Sequence, residues 1–222
     1  MTLRPIRILL VDDHPASREP LAELLDRQPD LTVAGQAGSV AEARALLAGG
    51  SPIDVALVDL ELPDGHGERV IADVQRWAPG ARVLVLTGSR DRRDLGRAVI
   101  SGADAMLHKS APTREVVAVI RDLYRGKTLL NPVETAEMVG EVAAWQKQAT
   151  IERDALGRLT AREREVLVLL AQGLENRAIA DRMSIGVETV RTHVASLLAK
   201  LGVDTRLQAV LLALRHDVVD LE

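Results

Sequence analysis

Charged and hydroxyl side chains end several apolar runs in the first half of the chain. Two adjacent aspartates, Asp12 and Asp13, follow the first run, and Asp59, Thr87 and Lys109 end three later ones. Adjacent like charges at the end of a buried strand repel each other and lose solvation, so the pair predicts a bound cation. Three carboxylates in one oxygen-rich pocket suit Mg²⁺, a hard cation.

A hydroxyl and an ammonium aimed at the same point indicate a second kind of chemistry. The metal ion and Lys109 can neutralise the oxygens of a phosphoryl group carried by Asp59, and Thr87 can hydrogen-bond to one of them. These residue types therefore predict phosphorylation of a carboxylate, with Asp59 as the acceptor.

The elements that position these residues alternate between two patterns. Short β-rich runs occupy residues 6–11, 31–37, 54–60, 82–88 and 104–109, and amphipathic segments lie near residues 15–27, 40–48, 66–77, 91–101 and 113–125. Several runs are continuously apolar, which is typical of parallel strands covered on both faces. Five such units predict a right-handed, doubly wound α/β sheet, in which ligands bind beyond the carboxyl ends of the strands.

The alternation stops near Gly126. Asn131 and Pro132 form a good helix start, since Asn caps helices and Pro fits the first helical position, so we expect a linker helix over residues 132–153. From Leu159 onward every segment has a helical pattern. The predicted domains are a five-stranded α/β domain over residues 1–126, a helical linker over 127–155 and an all-α domain over 156–222.

The last domain has four predicted helices, of which the short second and the third are joined by a turn and the fourth covers residues 205–216. Thr160 and Glu163 have the spacing of a capping box. In VETVRTHVASLLAKLG, residues 187–202, apolar residues form one face, and the opposite face carries small side chains and Arg191. Such a helix is slim enough for a DNA major groove, and with ENRAIADRM and the turn at residues 185–186 it predicts a helix-turn-helix.

Composition limits the remaining functions. The chain has no cysteine, which excludes disulfide scaffolds and thiol catalysis and fits a reducing compartment. No run approaches the ~18 apolar residues of a membrane span, so we expect a cytoplasmic protein with no membrane partner. The net charge is −4, and residues 151–222 hold ten Lys and Arg against eleven Asp and Glu. DNA binding would therefore depend on local arginines and on dimerisation.

Four motifs in the first domain resemble a known family. LLVDDH, LVDLELPDGHG, VLVLTGS and GADAMLHKS, in this order, look like the receiver domain of bacterial two-component response regulators, over about residues 5–125. The resemblance implies a flavodoxin-like fold and a sensor histidine kinase as phosphodonor. It also implies a Mg²⁺ ion held by Asp12, Asp13, Asp59 and the backbone carbonyl of Glu61.

By the same resemblance, Asp59 is the phosphoacceptor, Lys109 pairs with the phosphoryl group, and Thr87 and Met106 form the switch. Receivers commonly carry an aromatic residue where this chain has Met106. Because methionine is flexible and apolar, we expect the two switch states to be less sharply separated. Unmodified protein should then already show weak self-association and weak DNA binding.

The last domain resembles the LuxR/FixJ-type DNA-binding domain over about residues 156–219. The resemblance implies that Val187–Leu201 is the recognition helix and that Arg191 and Thr192 face the bases. The candidates for contacts with the DNA backbone are Thr189, Asn176, Arg177 and Lys200.

Together the two resemblances predict a NarL/FixJ-type transcription factor. It would be phosphorylated on Asp59 and would bind double-stranded promoter DNA, as a homodimer joined through the receiver. Two alternatives stay open: a DNA-binding regulator that works without phosphorylation, and a phosphatase of the haloacid dehalogenase type. Those phosphatases also use a strand-end aspartate with Mg²⁺, but their acid pair comes late in the chain, whereas here it comes first.

Overall fold

The first half of the chain forms a parallel sheet with helices between its strands. The computed structural model describes residues 4–219. The strands are β1 (Ile6–Val11), β2 (Leu31–Ala37), β3 (Val55–Val58), β4 (Glu61–Leu62), β5 (Gly65–His66), β6 (Arg82–Thr87) and β7 (Ala105–His108). The helices are α1 (Pro15–Asp26), α2 (Val40–Ala48), α3 (Gly67–Trp77), α4 (Arg92–Ile100) and α5 (Thr113–Tyr124).

The main sheet has five parallel strands in the order β2-β1-β3-β6-β7. Side chains of β1 alternate between two cores: Leu9 and Val11 pack with α2, α3 and α4, whereas Ile8 and Leu10 pack with α1 and α5. Helices therefore cover both faces, which explains the continuously apolar strands. The predicted doubly wound, flavodoxin-like fold is confirmed.

A small antiparallel hairpin between β3 and α3 was not predicted. β4 and β5 contribute two residues each, with Glu61 opposite His66 and Leu62 opposite Gly65. Strands this short have no readable alternation, so periodicity cannot detect them. The hairpin lies directly after Asp59 in the sequence and shapes the rim of the predicted site.

The rest of the described chain is helical. It contains α6 (Pro132–Gly157), α7 (Ala161–Ala171), α8 (Asn176–Met183), α9 (Val187–Leu201) and α10 (Arg206–Arg215). Asn131 Oδ1 accepts a hydrogen bond from the Val133 N–H at 2.9 Å, which confirms the predicted helix start. The capping box of Thr160 and Glu163 at the start of α7 is also present.

The chain divides into two units inside α6. The N-terminal unit ends at Ala143 and the C-terminal unit begins at Ala144, so the predicted linker contributes to both. Met138 and Val142 are buried in the first unit, and Leu156 packs into the core of the second. Residues 1–3 of the first predicted domain and residues 220–222 of the last lie outside the described residues. Between residues 4 and 219, no helix has the length and apolar character that crossing a membrane requires.

Candidate functional site

The strands bring the predicted acidic residues to one edge of the sheet. Asp12 directly follows β1, and Asp59 directly follows β3. The parallel pairing of these two strands extends to Asp59, because its N–H donates to the Val11 carbonyl at 2.9 Å. On the other side of β6, the Lys109 N–H donates to the Thr87 carbonyl at 3.0 Å. The residues after three parallel strands thus reach the same crevice, where doubly wound sheets bind ligands.

Lys109 joins the two buried carboxylates of the crevice. Its Nζ lies 2.6 Å from Asp59 Oδ2 and 3.1 Å from Asp12 Oδ2. Asp59 is 3% exposed and Asp12 is 7% exposed, so both interactions are largely shielded from water. One lysine therefore balances part of the charge of two aspartates.

The two aspartates differ in how many donors they have. Asp12 accepts hydrogen bonds from the His14 N–H at 2.9 Å and the Ser17 hydroxyl at 3.0 Å, in addition to Lys109. Besides Lys109, Asp59 has a single long bond from the Glu61 N–H at 3.4 Å. Asp59 is therefore the carboxylate with unused acceptor capacity.

These donors set opposite pKa shifts. Burial raises the pKa of Asp59 above its ordinary value, and the contact with Lys109 offsets this only in part. Burial also acts to raise the pKa of Asp12, but the His14 N–H and Lys109 outweigh it and lower that pKa. Burial likewise opposes the charge of Lys109, yet its two carboxylate partners raise its pKa. Lys109 is thus held as an ammonium between the carboxylates.

Asp13 completes a set of oxygens that fits a hard cation. Ligand atoms of Asp12, Asp13, His14 and Asp59 all lie within 4.8 Å of one another. Asp13 Oδ1 is buried and, although His14 Nδ1 lies 2.5 Å away, it receives no well-directed hydrogen bond from any described residue. A buried carboxylate oxygen without a donor is costly unless a cation takes that place. Three carboxylates with such an oxygen fit Mg²⁺.

The backbone that carries Asp59 packs closely against the start of α3. A Cβ added to Gly67, the first residue of α3, would lie 2.1 Å from the Asp59 carbonyl oxygen and 2.8 Å from the Leu60 Cα. No side chain larger than hydrogen fits there without moving α3 or the loop that carries Asp59. The glycine therefore lets the helix start against the site.

The predicted switch residues lie beside this crevice. Thr87 is 2% exposed, and its Oγ1 accepts a hydrogen bond from the Ser89 N–H at 3.1 Å. Met106 is half-buried, packs against the core shared with α4, and lines one cavity with Thr87. Glu61 lines the crevice with Asp59 and Lys109, and the role of its carbonyl as a metal ligand stays a prediction.

In the C-terminal unit, α9 has the two faces that the sequence predicts. Its buried residues are Val190, Val194, Leu197 and Leu201. Thr189, Arg191 and Thr192 are exposed, as is Arg177 on α8. Arg191 forms an ion pair with Glu188 at 2.6 Å, in which both side chains are well exposed. An exposed ion pair contributes little to the stability of the fold, so Arg191 can exchange Glu188 for another hydrogen-bond acceptor at low cost.

Two predicted DNA-backbone contacts have a more enclosed environment. Lys200 Nζ lies 2.7 Å from Glu163 Oε2, and Asn176 is half-buried with an Oδ1 that has no partner among the described residues. Glu163 also accepts from the Ser196 hydroxyl at 2.6 Å and from the Thr160 N–H at 2.7 Å. Lys200 therefore already fastens α9 to the start of α7, a role that sequence reasoning missed.

Glu163 is a buried charge that its partners stabilise. Burial alone would raise the pKa of Glu163, but donation by Lys200 and Ser196 outweighs burial and lowers that pKa to about 2. The capping-box spacing identified Glu163 as a helix cap. Its two bonds to α9 come from residues 33 and 37 positions away, and no local pattern indicates them.

Comparisons with known proteins match both halves of the chain. Residues 8–121 match the model of the response regulator receiver domain, and residues 157–213 match that of the LuxR family of bacterial regulatory proteins. The DNA-binding transcriptional activator DevR/DosR of Mycobacterium tuberculosis is 38% identical over 94% of this chain and 94% of its own length. The response regulator VraR of Staphylococcus aureus is 32% identical over 96% and 99%, respectively.

Solved structures agree with these matches. The response regulator ChrA of a heme-sensing two-component system superposes with a TM-score of 0.51 at 32% identity, over 97% of this chain and all of that one. The response regulator RcsB in complex with DNA shares the fold, with a TM-score of 0.52 at 21% identity over 94% and 98%. The chain therefore belongs to the response regulators that join a receiver domain to a LuxR-type DNA-binding domain, a family of transcription regulators and not of turnover enzymes.

Proposed function

We propose that a sensor histidine kinase phosphorylates Asp59 in the presence of Mg²⁺ and that this controls binding to promoter DNA. One observation carries the proposal: Asp59 is a buried carboxylate, held by a lysine, with acceptor capacity that the described residues leave unused. The neighbouring Asp12 has its donors supplied and a lowered pKa, which suits a metal ligand better than a nucleophile.

The residues of the crevice then have distinct tasks. An Asp59 carboxylate oxygen forms the new bond to phosphorus while the donor's bond to phosphorus breaks. Lys109 neutralises a phosphoryl oxygen from its position 2.6 Å from Asp59. The hydroxyl of Thr87 donates to another. Mg²⁺, held by Asp12, Asp13 and Asp59, would neutralise further charge on the transferred group.

Acetyl phosphate tests the proposal directly. With Mg²⁺, the full chain should gain one phosphoryl group in an intact-mass spectrum. Asp59→Asn or chelation of the metal should abolish the gain. Asp73→Asn, which alters a carboxylate on α3 that pairs with Arg44 on α2, should label like the wild type. Equal labelling of Asp59→Asn would refute Asp59 as the acceptor.

The exposed face of α9 supports sequence-specific binding of double-stranded DNA. Arg191 and Thr192 are exposed beside a buried apolar face, and Thr189 and Arg177 flank them. A good arginine–base contact is worth about 1–3 kcal/mol, so Arg191→Ala should weaken binding to a selected operator about ten- to a hundredfold. Arg164→Ala, an exposed arginine on α7, is the control in a fluorescence-anisotropy titration. Equal losses in both variants would contradict the proposed orientation. Because its proposed target is promoter DNA, the protein would work in the cytoplasm.

Dimerisation completes the proposed mechanism. Leu207 and Leu211 lie one turn apart on α10 and are 67% and 50% exposed. They form an apolar stripe, which is a candidate dimer surface in addition to the receiver. Sedimentation with and without beryllofluoride, a mimic of the phosphoryl group, should show stronger self-association with it. Met106→Tyr should sharpen the difference. An unchanged sedimentation coefficient on activation would favour the alternative of a regulator that works without phosphorylation.

A further inference from the structure

An imidazole reaches the acid pocket, the part of the crevice formed by Asp12, Asp13, Asp59 and Lys109. His14 is the N-cap residue of α1, a position that favours serine, threonine, asparagine and aspartate because their side chains accept a hydrogen bond from the helix backbone. The His14 side chain is 66% exposed and forms no capping bond within α1 as the structure describes it. The fold therefore gives no reason for an imidazole at this position.

The His14 ring lies against carboxylate oxygens instead. Its Nδ1 is 2.5 Å from Asp13 Oδ1 and 3.5 Å from Asp12 Oδ1. Asp13 Oδ1 is buried and receives no well-directed hydrogen bond from any described residue. An imidazole nitrogen and a carboxylate oxygen each offer a lone pair, so a cation that accepts both satisfies the buried oxygen and uses the ring.

Four ligand atoms are close enough to share one ion. One atom each of Asp12, Asp13, His14 and Asp59 lies within 4.8 Å of the other three. Ligand atoms about 2.0–2.2 Å from a single Zn²⁺ ion are at most about 4.4 Å apart, so small side-chain movements close the set around one ion. The charges also balance, because a dication and the Lys109 ammonium together offset three carboxylates.

The imidazole changes which metal the pocket favours. Carboxylate oxygens alone suit Mg²⁺, which keeps several of its waters, whereas an imidazole nitrogen suits Zn²⁺ and related transition metals. Zn²⁺ held by four protein ligands is tetrahedral and keeps no open position. Mg²⁺ in the same pocket leaves positions for the oxygens of a phosphoryl group.

We propose that the acid pocket has a second ligand set, which binds Zn²⁺, in addition to the three carboxylates that suit Mg²⁺. The set consists of Asp12, Asp13, His14 and Asp59. Zn²⁺ bound there occupies an oxygen of Asp59 and displaces Mg²⁺, so it blocks the transfer of a phosphoryl group to that residue. The block rests on the proposed function, whereas the binding of Zn²⁺ does not.

Nuclear magnetic resonance of the full chain, isotope-labelled on its histidine nitrogens, observes the new ligand directly. An equimolar amount of Zn²⁺ should shift the Nδ1 resonance of one of the five histidines, and His14→Ala should lack the shifted resonance. His66→Ala should keep it, although His66 lines a neighbouring cavity together with His14. A shifted resonance that survives in His14→Ala would overturn the ligand set.

Calorimetric titration measures the metal preference. Zn²⁺ should bind the wild type more tightly than Mg²⁺ does. His14→Ala should lower the affinity for Zn²⁺ at least about tenfold, because loss of even an outer-shell partner of a bound metal costs about 10- to 100-fold. The affinity for Mg²⁺ should fall much less in that variant, and His66→Ala should change neither affinity. Equal Zn²⁺ affinities in the wild type and His14→Ala, both folded by circular dichroism, would overturn the proposal.

Labelling with acetyl phosphate and Mg²⁺ tests the block. Zn²⁺ should suppress the gain in mass of the wild type at concentrations that leave His14→Ala at its own level without Zn²⁺. Undiminished labelling of protein that holds Zn²⁺ through His14 would refute the block. If Asp59 accepts no phosphoryl group even without Zn²⁺, the proposed function and the block fail together, and the resonance and calorimetric experiments still decide whether the Zn²⁺ site exists.

Discussion

Two buried carboxylates, Asp59 and Glu163, each contact a lysine, but they differ in the number of other hydrogen-bond donors and in the direction of their pKa shift. Both are 3% exposed, and their lysine contacts are 2.6 and 2.7 Å long. Glu163 also accepts short hydrogen bonds from the Thr160 N–H, before α7, and from the Ser196 hydroxyl on α9, and its pKa falls to about 2. Asp59 has one further bond at 3.4 Å, and its pKa rises.

The difference shows that a buried lysine–carboxylate pair does not by itself mark a site of chemistry. A carboxylate whose oxygens are all supplied with donors stabilises the fold and has nothing left to offer a ligand. A carboxylate that is buried with acceptors to spare is costly to the fold and available for reaction. The number of donors, more than the presence of the lysine, separates the two.

Lowering the pH should have the largest effect on the stability of the unit that contains Glu163. Because the folded-state pKa of Glu163 lies below its ordinary value, its contribution to stability is present above pH ~4.5 and is lost as pH falls toward about 2. The C-terminal unit of the wild type should lose about 3 kcal/mol of unfolding free energy over this range through Glu163 alone. Urea titrations at several pH values, monitored by hydrogen exchange of α7 and α9, measure it. The same slope in Glu163→Gln would show that other groups cause the loss.

Removing the charge of Glu163 at neutral pH should have the next largest effect. Glu163→Gln weakens the four hydrogen bonds that Thr160 (N–H and hydroxyl), Ser196 and Lys200 donate to the carboxylate, and it leaves Lys200 without its charged partner, so we expect a loss of about 1.5–3 kcal/mol. Glu165→Gln, an exposed neighbour that pairs with Arg162, should change the stability by less than about 0.5 kcal/mol. Equal effects in the two variants would remove the basis of the comparison.

Removing the charge of Asp59 should have the smallest effect on stability and the opposite sign. Asp59→Asn relieves repulsion with Asp12, and Lys109 keeps Asp12 as a partner at 3.1 Å. Without Mg²⁺, the N-terminal unit should be unchanged or more stable by up to about 1 kcal/mol in the same urea titration, because burial and the charge of Asp12 both disfavour the ionised Asp59. A clear destabilisation, similar to that of Glu163→Gln, would mean that Asp59 is a structural residue.

Much of the N-terminal unit could be predicted from local patterns. The five main strands and their helices lie within a few residues of their predicted positions, because continuous apolar runs and turn residues determine them locally. The sequence predicts that Asp12, Asp59 and Lys109 lie close together, because the carboxyl ends of parallel strands meet at one edge of the sheet. The hairpin of Glu61 and His66 could not, since its strands have two residues each.

Contacts between distant residues explain the other differences. α6 continues to Gly157, beyond the predicted end at residue 153, because Ala155 and Leu156 pack into the C-terminal core. The contact of α6 with Gly96 on α4 and the bond of Lys200 to Glu163 each join residues more than 35 positions apart. No spacing rule within one helix indicates such partners, so these roles appear only when the chain is folded.

Two glycines next to the acid pocket have opposite surroundings. The backbone of α3 lies directly against that of Asp59, since a Cβ at Gly67 would lie 2.1 Å from the Asp59 carbonyl oxygen. Gly88, which follows Thr87 and lines the same pocket, has open space at the corresponding position, with no described atom within 4 Å. The backbone of Asp59 is therefore packed tightly against α3, whereas the backbone at Gly88 has room beside it. Any displacement in the pocket is therefore easier at Gly88, between β6 and α4, than at the start of α3.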